Sequence, residues 1–220
     1  MGYSHCMSNT NPRMPKQSRS IATKEQLFEA ASQLFAEEGY HNTNTKKIAA
    51  RAGIAVGSFY AYYRNKKTVF LEVIQSYYQR IQKDAFNGLE EMNQLSANSV
   101  RTPKDVYSGA RLLASVIQQL YEAHNISPQL HREITGMRYT DTDVDKLITE
   151  EEAKTVLRIQ EILVLFGPLL KVKDIEAASH VVHRSAEEVI HSIKIFGSSI
   201  EPKRLIAELN AMLSRYLFGM

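Results

Sequence analysis

Thr43–Lys66 reads TNTKKIAARAGIAVGSFYAYYRNK, and this stretch decides the fold. Ile48 and Ala49 are apolar neighbours on a short helix running to about Ala52. Gly53 can take the left-handed conformation that ends a helix at little steric cost. Ile54 is the apolar plug of the turn, and a second helix restarts near Val56. Two helices joined by a turn of a few residues that includes Gly make a helix-turn-helix. The second helix of such a unit enters the DNA major groove.

That second helix, VGSFYAYYR, is odd for a purely structural one. Val56, Gly57 and Ser58 carry little side-chain bulk, so the backbone can approach a surface closely. Tyr60, Tyr62 and Tyr63 follow, then Arg64 and Lys66. Phenols and cations beside a slim helix tip suit phosphate hydrogen bonding around a groove contact. The competing reading makes the rings the core of a small three-helix unit. It fits Phe59 and Tyr63 better than Tyr60 and Tyr62.

A longer pattern surrounds this stretch. Thr23, Leu27, Ala30-Ala31, Leu34-Phe35, Gly39-Tyr40, Thr43, Ile48-Ala49, Ala52-Gly53, Gly57, Tyr60, Tyr62-Tyr63, Lys66 and Phe70 carry it. Their order and spacing resemble the DNA-binding region of the tetracycline-repressor (TetR) family of transcriptional regulators. The resemblance implies a nine-helix architecture, with an N-terminal helix-turn-helix domain and a C-terminal helical domain for ligand binding and dimerisation. It implies that Val56, Gly57 and Ser58 approach bases, while Thr43, Tyr60, Tyr62 and Lys66 contact phosphates. It further implies a repressor that binds a palindromic double-stranded DNA operator as a dimer and is released by a small-molecule effector. Two positions depart from the family pattern. Ala55 stands where Ser usually caps the recognition helix, a loss of about 1 kcal/mol. Val56 replaces a frequently polar residue and can offer a thymine only an apolar contact.

Bulk properties agree with a DNA-binding head on an ordinary body. The 220 residues support one or two domains with a sizeable core. No apolar run approaches the ~18 residues of a membrane span, and no hydrophobic leader directs export. The single cysteine, Cys6, cannot form an internal disulfide, so the expected compartment is a reducing cytoplasm. Through Lys67 there are 10 Lys and Arg against 4 Asp and Glu, a charge of +6; the remainder has 17 against 20, or −3. A basic head on a mildly acidic body points to a polyanion partner for the head alone.

The organisation read from the chain is a disordered basic arm over 1–22, the helix-turn-helix domain over 23–68, and the helical body over 69–220. The arm carries Arg13, Lys16 and Arg19 and no acid. Thr23 is the expected cap of the first helix, with Gln26 as its capping-box partner. Leu27, Ala31, Leu34 and Phe35 fall on one stripe, and Gly39 ends the helix. Asn65 caps a fourth helix. Lys66 in that first turn is disfavoured by the helix dipole, which argues for an outside anion rather than local stability. Further helices are expected from Pro103 to Ala123, from Ser127-Pro128, from Asp141 to Phe166, from Asp174 to Phe196 and from Pro202 to Phe218. No segment alternates with a strand period, so the fold class is all-α.

The last two helices are amphipathic. Ile175, Ala178, Val182, Val189, Ile193 and Phe196 line one side of the eighth; Leu205, Leu209, Met212, Leu213 and Tyr216 line one side of the ninth. Such a pair either closes the monomer's core or meets a twin, and the family resemblance favours a homodimer through these helices. An effector pocket would lie among helices four to eight. Polar and aromatic candidates there are Tyr77, Tyr107, Arg111, Tyr121, His124, His131, Arg138, Tyr139 and His180.

Catalysis finds no support: Cys6 lies in the arm and no Gly-rich phosphate loop occurs. His180, His183, Glu187 and His191 stand at helical spacings that suit a metal ion, yet all are on one helix and no HExxH motif is present. The expectation is solvated or interface histidines, with no metal and no cofactor. The alternative function is a helical DNA-binding or interaction protein without an inducer.

Overall fold

The structure, a computed structural model, describes residues 16–94, 104–125 and 127–220, with side chains from residue 19 onward in the first helix and up to residue 86 in the fourth. Among the described residues there is no strand. The α-helices are α1 (Lys16–Asn42), α2 (Thr45–Arg51), α3 (Val56–Phe59), α4 (Lys66–Gln94) and α5 (Val106–Ala123). They continue as α6 (Pro128–Arg138), α7 (Thr142–Phe166), α8 (Ile175–His191) and α9 (Pro202–Phe218). No helix among the described residues is long and apolar enough to cross a membrane.

The stripe of Leu27, Ala31, Leu34 and Phe35 is buried, and α1 lays it against Ile48, Phe59, Tyr63, Val69 and Phe70. Phe35 meets the Phe70 ring edge-on at 4.8 Å, which binds α1 to the start of α4. Thr23 does not start the helix, which already runs from Lys16. Its hydroxyl instead donates to the Arg19 carbonyl one turn back, at 2.9 Å. Residues 16–22 of the expected arm are therefore helical, and the remainder of the arm lies outside the described residues. Gly39 does break the helix, at φ +80°, where an L side chain is strained.

The body is a stack around α4. The stripe Val73, Ile74, Tyr77 and Ile81 of α4 is buried. α5 and α7 pack against it, α6 lies on α1 and α7, α8 lies on α7, and α9 closes against α5 and α8. The fifth helix starts later than Pro103, at Val106. There Asp105 and Ser108 form a reciprocal capping box: Ser108 N–H donates to Asp105 Oδ1 at 2.7 Å, and Asp105 N–H to Ser108 Oγ at 3.2 Å. Pro103 and the polar run before it lie outside the described residues. α7 stops at Phe166 before Gly167-Pro168, as expected. The α-geometry of α8 ends at His191, and a π-helical turn carries Ser192–Phe196.

Candidate nucleic-acid interface and buried polar core

In the helix-turn-helix, the Asn44 side chain caps α2 by accepting from Lys47 N at 3.0 Å. Gly53 closes the turn at φ +68°, and Ile54 N–H donates to Ala49 O at 2.9 Å. Phe59 and Tyr63 are buried and hold α3 to α1. α3 is a single turn, its Ala55 cap makes no side-chain bond, and Val56, Gly57 and Ser58 are exposed at its tip. Tyr60 is 56% exposed, with its hydroxyl 3.2 Å from Thr45 Oγ1. Tyr62 is half-buried against the core.

Two expected phosphate ligands have structural duties. Thr43 is buried, and its hydroxyl donates to Gly39 O at 2.8 Å, so it closes the end of α1 rather than facing a ligand. Lys66 Nζ donates to Tyr40 O at 2.6 Å and lies 4.0 Å above the Tyr40 ring. Burial lowers its pKa. The dipole of α4 disfavours a cation in its first turn, but the Lys66 ammonium caps the carbonyl end of α1, where a cation is favoured. Much of the remaining basic charge is neutralised internally. Arg51 pairs with Glu37 at 2.9 Å, Lys47 with Glu38 at 2.5 Å, and Lys67 with Asp141 and Asp143 at 2.8 and 2.5 Å. Lys46 and Arg64 are exposed and have no ion-pair partner among the described residues.

Inside the body, α4, α5, α6 and α8 bring imidazoles and phenols together. His124 and His131 are each 1% exposed, and His191 is half-buried. Ring centroids lie 5.3 Å apart for His124–His131, 5.5 Å for His124–His191 and 4.5 Å for His131–His191. The Tyr77 ring packs against His131 at 5.2 Å, tilted by 57°, with its hydroxyl unpartnered. Glu187 Oε2 is 2.9 Å from His191 Nε2 and 3.8 Å from His124 Nε2.

The protonation pattern follows. His124 Nδ1 lies 2.8 Å from the Leu120 carbonyl, which can only accept, so Nδ1 carries a proton. Burial opposes charge on His124, but Glu187 and the Leu120 carbonyl outweigh it and raise its pKa. Burial would raise Glu187, yet His124 and His191 hold its carboxyl well below the usual range. Burial, then the neighbouring His191 and His124, lower His131 to about 3. His131 finds no hydrogen-bond partner for either ring nitrogen, a cost of about 1–3 kcal/mol in an apolar interior.

Of the expected effector residues, the structure joins Tyr77 with His131 and adds His124. Tyr107 (69% exposed), Tyr139 (83%), Arg111 and His180 lie on the surface, so they do not line an interior. Tyr121 sits under Lys194 Nζ at 3.6 Å. Arg138 is committed to Glu152 at 2.6 Å and Asp145 at 3.1 Å. Glu152 also takes Arg184 at 2.8 Å, so one α7 carboxylate staples α6 to α8. Of the four residues at helical spacing on α8, Glu187 and His191 enter the cluster and His180 does not. His124 and His131 complete it from other helices, a pairing no local spacing reveals.

α6 links this core to the head. His131 faces the imidazoles, while Glu133, two residues on, accepts the Tyr40 N–H at 2.9 Å beside the Gly39 break. A Cβ on Gly39 would come within 3.0 Å of the Glu133 carboxyl. α6 thus touches both the head and the core, as α4 does.

A helix-turn-helix head with an exposed, slim recognition tip, set on an all-helical body, defines a DNA-binding transcriptional regulator. The sequence matches the family described as bacterial regulatory proteins, tetR family, over residues 23–73, and the tetracyclin repressor-like C-terminal domain over residues 110–217. The chain belongs to the TetR family, whose members are regulators that bind DNA and dimerise, not enzymes. It is 30% identical over 66 residues to the HTH-type transcriptional regulator YdgC of Bacillus subtilis, covering 30% of this chain and 34% of that protein. With the fatty acid metabolism regulator protein of Bacillus subtilis the identity is 36% over 63 residues, 27% of this chain and 32% of that protein. The chain thus matches about a third of the length of these relatives. The fold matches a crystal structure of a transcriptional regulator from Pseudomonas aeruginosa PAO1, with TM-score 0.69 and 14% identity over 90% of each chain.

Proposed function

We propose that this regulator is a repressor that binds a palindromic operator as a homodimer and is released when an effector binds within the body. The division of labour is a DNA-reading unit through residue 68 and an effector and dimerisation unit beyond it. Val56, Gly57 and Ser58 approach base edges; Tyr60, Tyr62, Lys46 and Arg64 meet phosphates. The dimer forms on the outer faces of α8 and α9, where Val181 is 45%, Met212 47% and Tyr216 40% exposed. Leu209 and Leu213, by contrast, belong to the monomer's own core.

The observation that carries the reading is the pair His131 and Glu133 on α6. One side of that helix faces the buried polar core and the other holds the Gly39 break of α1. An effector that prefers one position of α6 shifts the spacing of the two recognition helices, which must sit about 34–36 Å apart on DNA. The test is selection of bound duplexes from a random pool, followed by a competition screen of small molecules on the selected site. An inverted repeat with half-sites a whole number of turns apart, and a compound that releases it, are expected. A single unsymmetrical site bound by a monomer would overturn the proposal.

A further inference from the structure

The geometry points to a divalent transition-metal site of the Zn2+ type inside the body, formed by His124, His131 and His191 with Glu187 as the fourth ligand. One ligand atom from each imidazole lies within 4.8 Å of the others, and the Glu187 carboxylate lies against two of the rings. Zn2+ binds imidazole nitrogen at about 2.0–2.1 Å, which places the nitrogens of a tetrahedral site roughly 3.4 Å apart. Modest side-chain rotations bring the three together.

Three observations separate this set from a chance packing of rings. His124 donates Nδ1–H to Leu120 O, which fixes the ring and turns Nε2, the nitrogen a metal would take, toward Glu187. A backbone carbonyl orienting a histidine in this way is the usual outer support of a metal ligand. His131 is 1% exposed with both nitrogens unpartnered, and it faces the other two rings. The His191 Nε2, though 2.9 Å from Glu187, has no aligned hydrogen bond. A buried carboxylate set among imidazoles, whose ligating nitrogens give up their protons on binding, favours a cation over an anionic effector, so the core selects for a metal ion. This inference concerns what the core binds, and it stands whether or not the event reaches DNA.

The test is stripping of untagged, full-length protein with a chelator, followed by titration with Co2+ and then displacement by Zn2+. One equivalent per chain is expected, with the strong visible ligand-field bands of four-coordinate Co2+ that Zn2+ abolishes. His131→Gln and His191→Gln should weaken binding at least ~100-fold, more than loss of an outer support alone. His180→Gln, on the exposed side of α8, should bind as the wild type does. Circular dichroism verifies that each variant is folded. No stoichiometric uptake by the wild type, only the weak bands of hydrated Co2+, or full affinity in a folded His131→Gln would each overturn the inference.

Discussion

Replacing Lys66 with Met separates two roles that a lysine beside a recognition helix can play. The substitution keeps the aliphatic stem and removes the ammonium. That ammonium donates to Tyr40 O at 2.6 Å and stands 4.0 Å above the Tyr40 ring, closing the carbonyl end of α1. A hydrogen bond to a charged group contributes about 1.5–3 kcal/mol, and a cation over an aromatic face about 0.5–1 kcal/mol. The expected loss is thus roughly 2–4 kcal/mol, or a fall in Tm of about 4–16 °C for a protein of this size. Thermal unfolding by circular dichroism gives the first number. Fluorescence anisotropy with a labelled operator across a salt series gives the second, the slope of log affinity against log salt. Each phosphate contact contributes about 0.9 to that slope. A lower Tm with an unchanged slope is expected. An unchanged Tm with a slope reduced by about 0.9 would refute the capping role and restore Lys66 as a phosphate ligand.

Arg64→Ala should show the opposite pattern: affinity falls for all DNA sequences, the salt slope drops by about 1, and Tm holds. Tyr216→Asp should yield folded monomers by light scattering, because the ring is 40% exposed on α9, whereas Leu209→Asp, at a site 3% exposed, should unfold the chain. Asp141→Asn keeps the cap of α7 but loses the charge that faces Lys67. Lys67 lowers the Asp141 pKa, so the pair's contribution is present above the unfolded-state value near ~3.9 and is lost as pH falls through the folded one. The stability gap between wild type and Asp141→Asn should therefore close on acidification, as followed by urea unfolding at stepped pH.

The head was legible because its signals are local. Gly39 and Gly53 mark positive-φ breaks, Asn65 accepts from Thr68 N at 2.9 Å, and the Leu27-to-Phe35 stripe repeats with a helical period. Thr23 misled because a hydroxyl bonds equally well to a carbonyl one turn back, and nothing in residues 16–22 breaks a helix. The core cluster was only half legible. Glu187 and His191 share a helix, but His124 and His131 arrive from α5 and α6 through tertiary packing that no spacing encodes. Leu209 shows the same limit: an apolar stripe on α9 gives a face to bury without saying which partner buries it.

The joint between head and body also bears on how this protein could be rebuilt. The end of α1 is satisfied by Glu133, and the start of α4 is neutralised by Asp141 and Asp143, all three contributed by the body. A chimera that grafts this head onto a foreign body would leave the Tyr40 N–H without its acceptor and Lys67 without its acids. Swapping DNA specificity between relatives should therefore succeed by exchanging the few residues at the tip of α3, or by moving the Glu133–Asp143 segment along with the head. A cut made at the helix-turn-helix boundary should give a chain that folds poorly, however well the transplanted tip matches its operator.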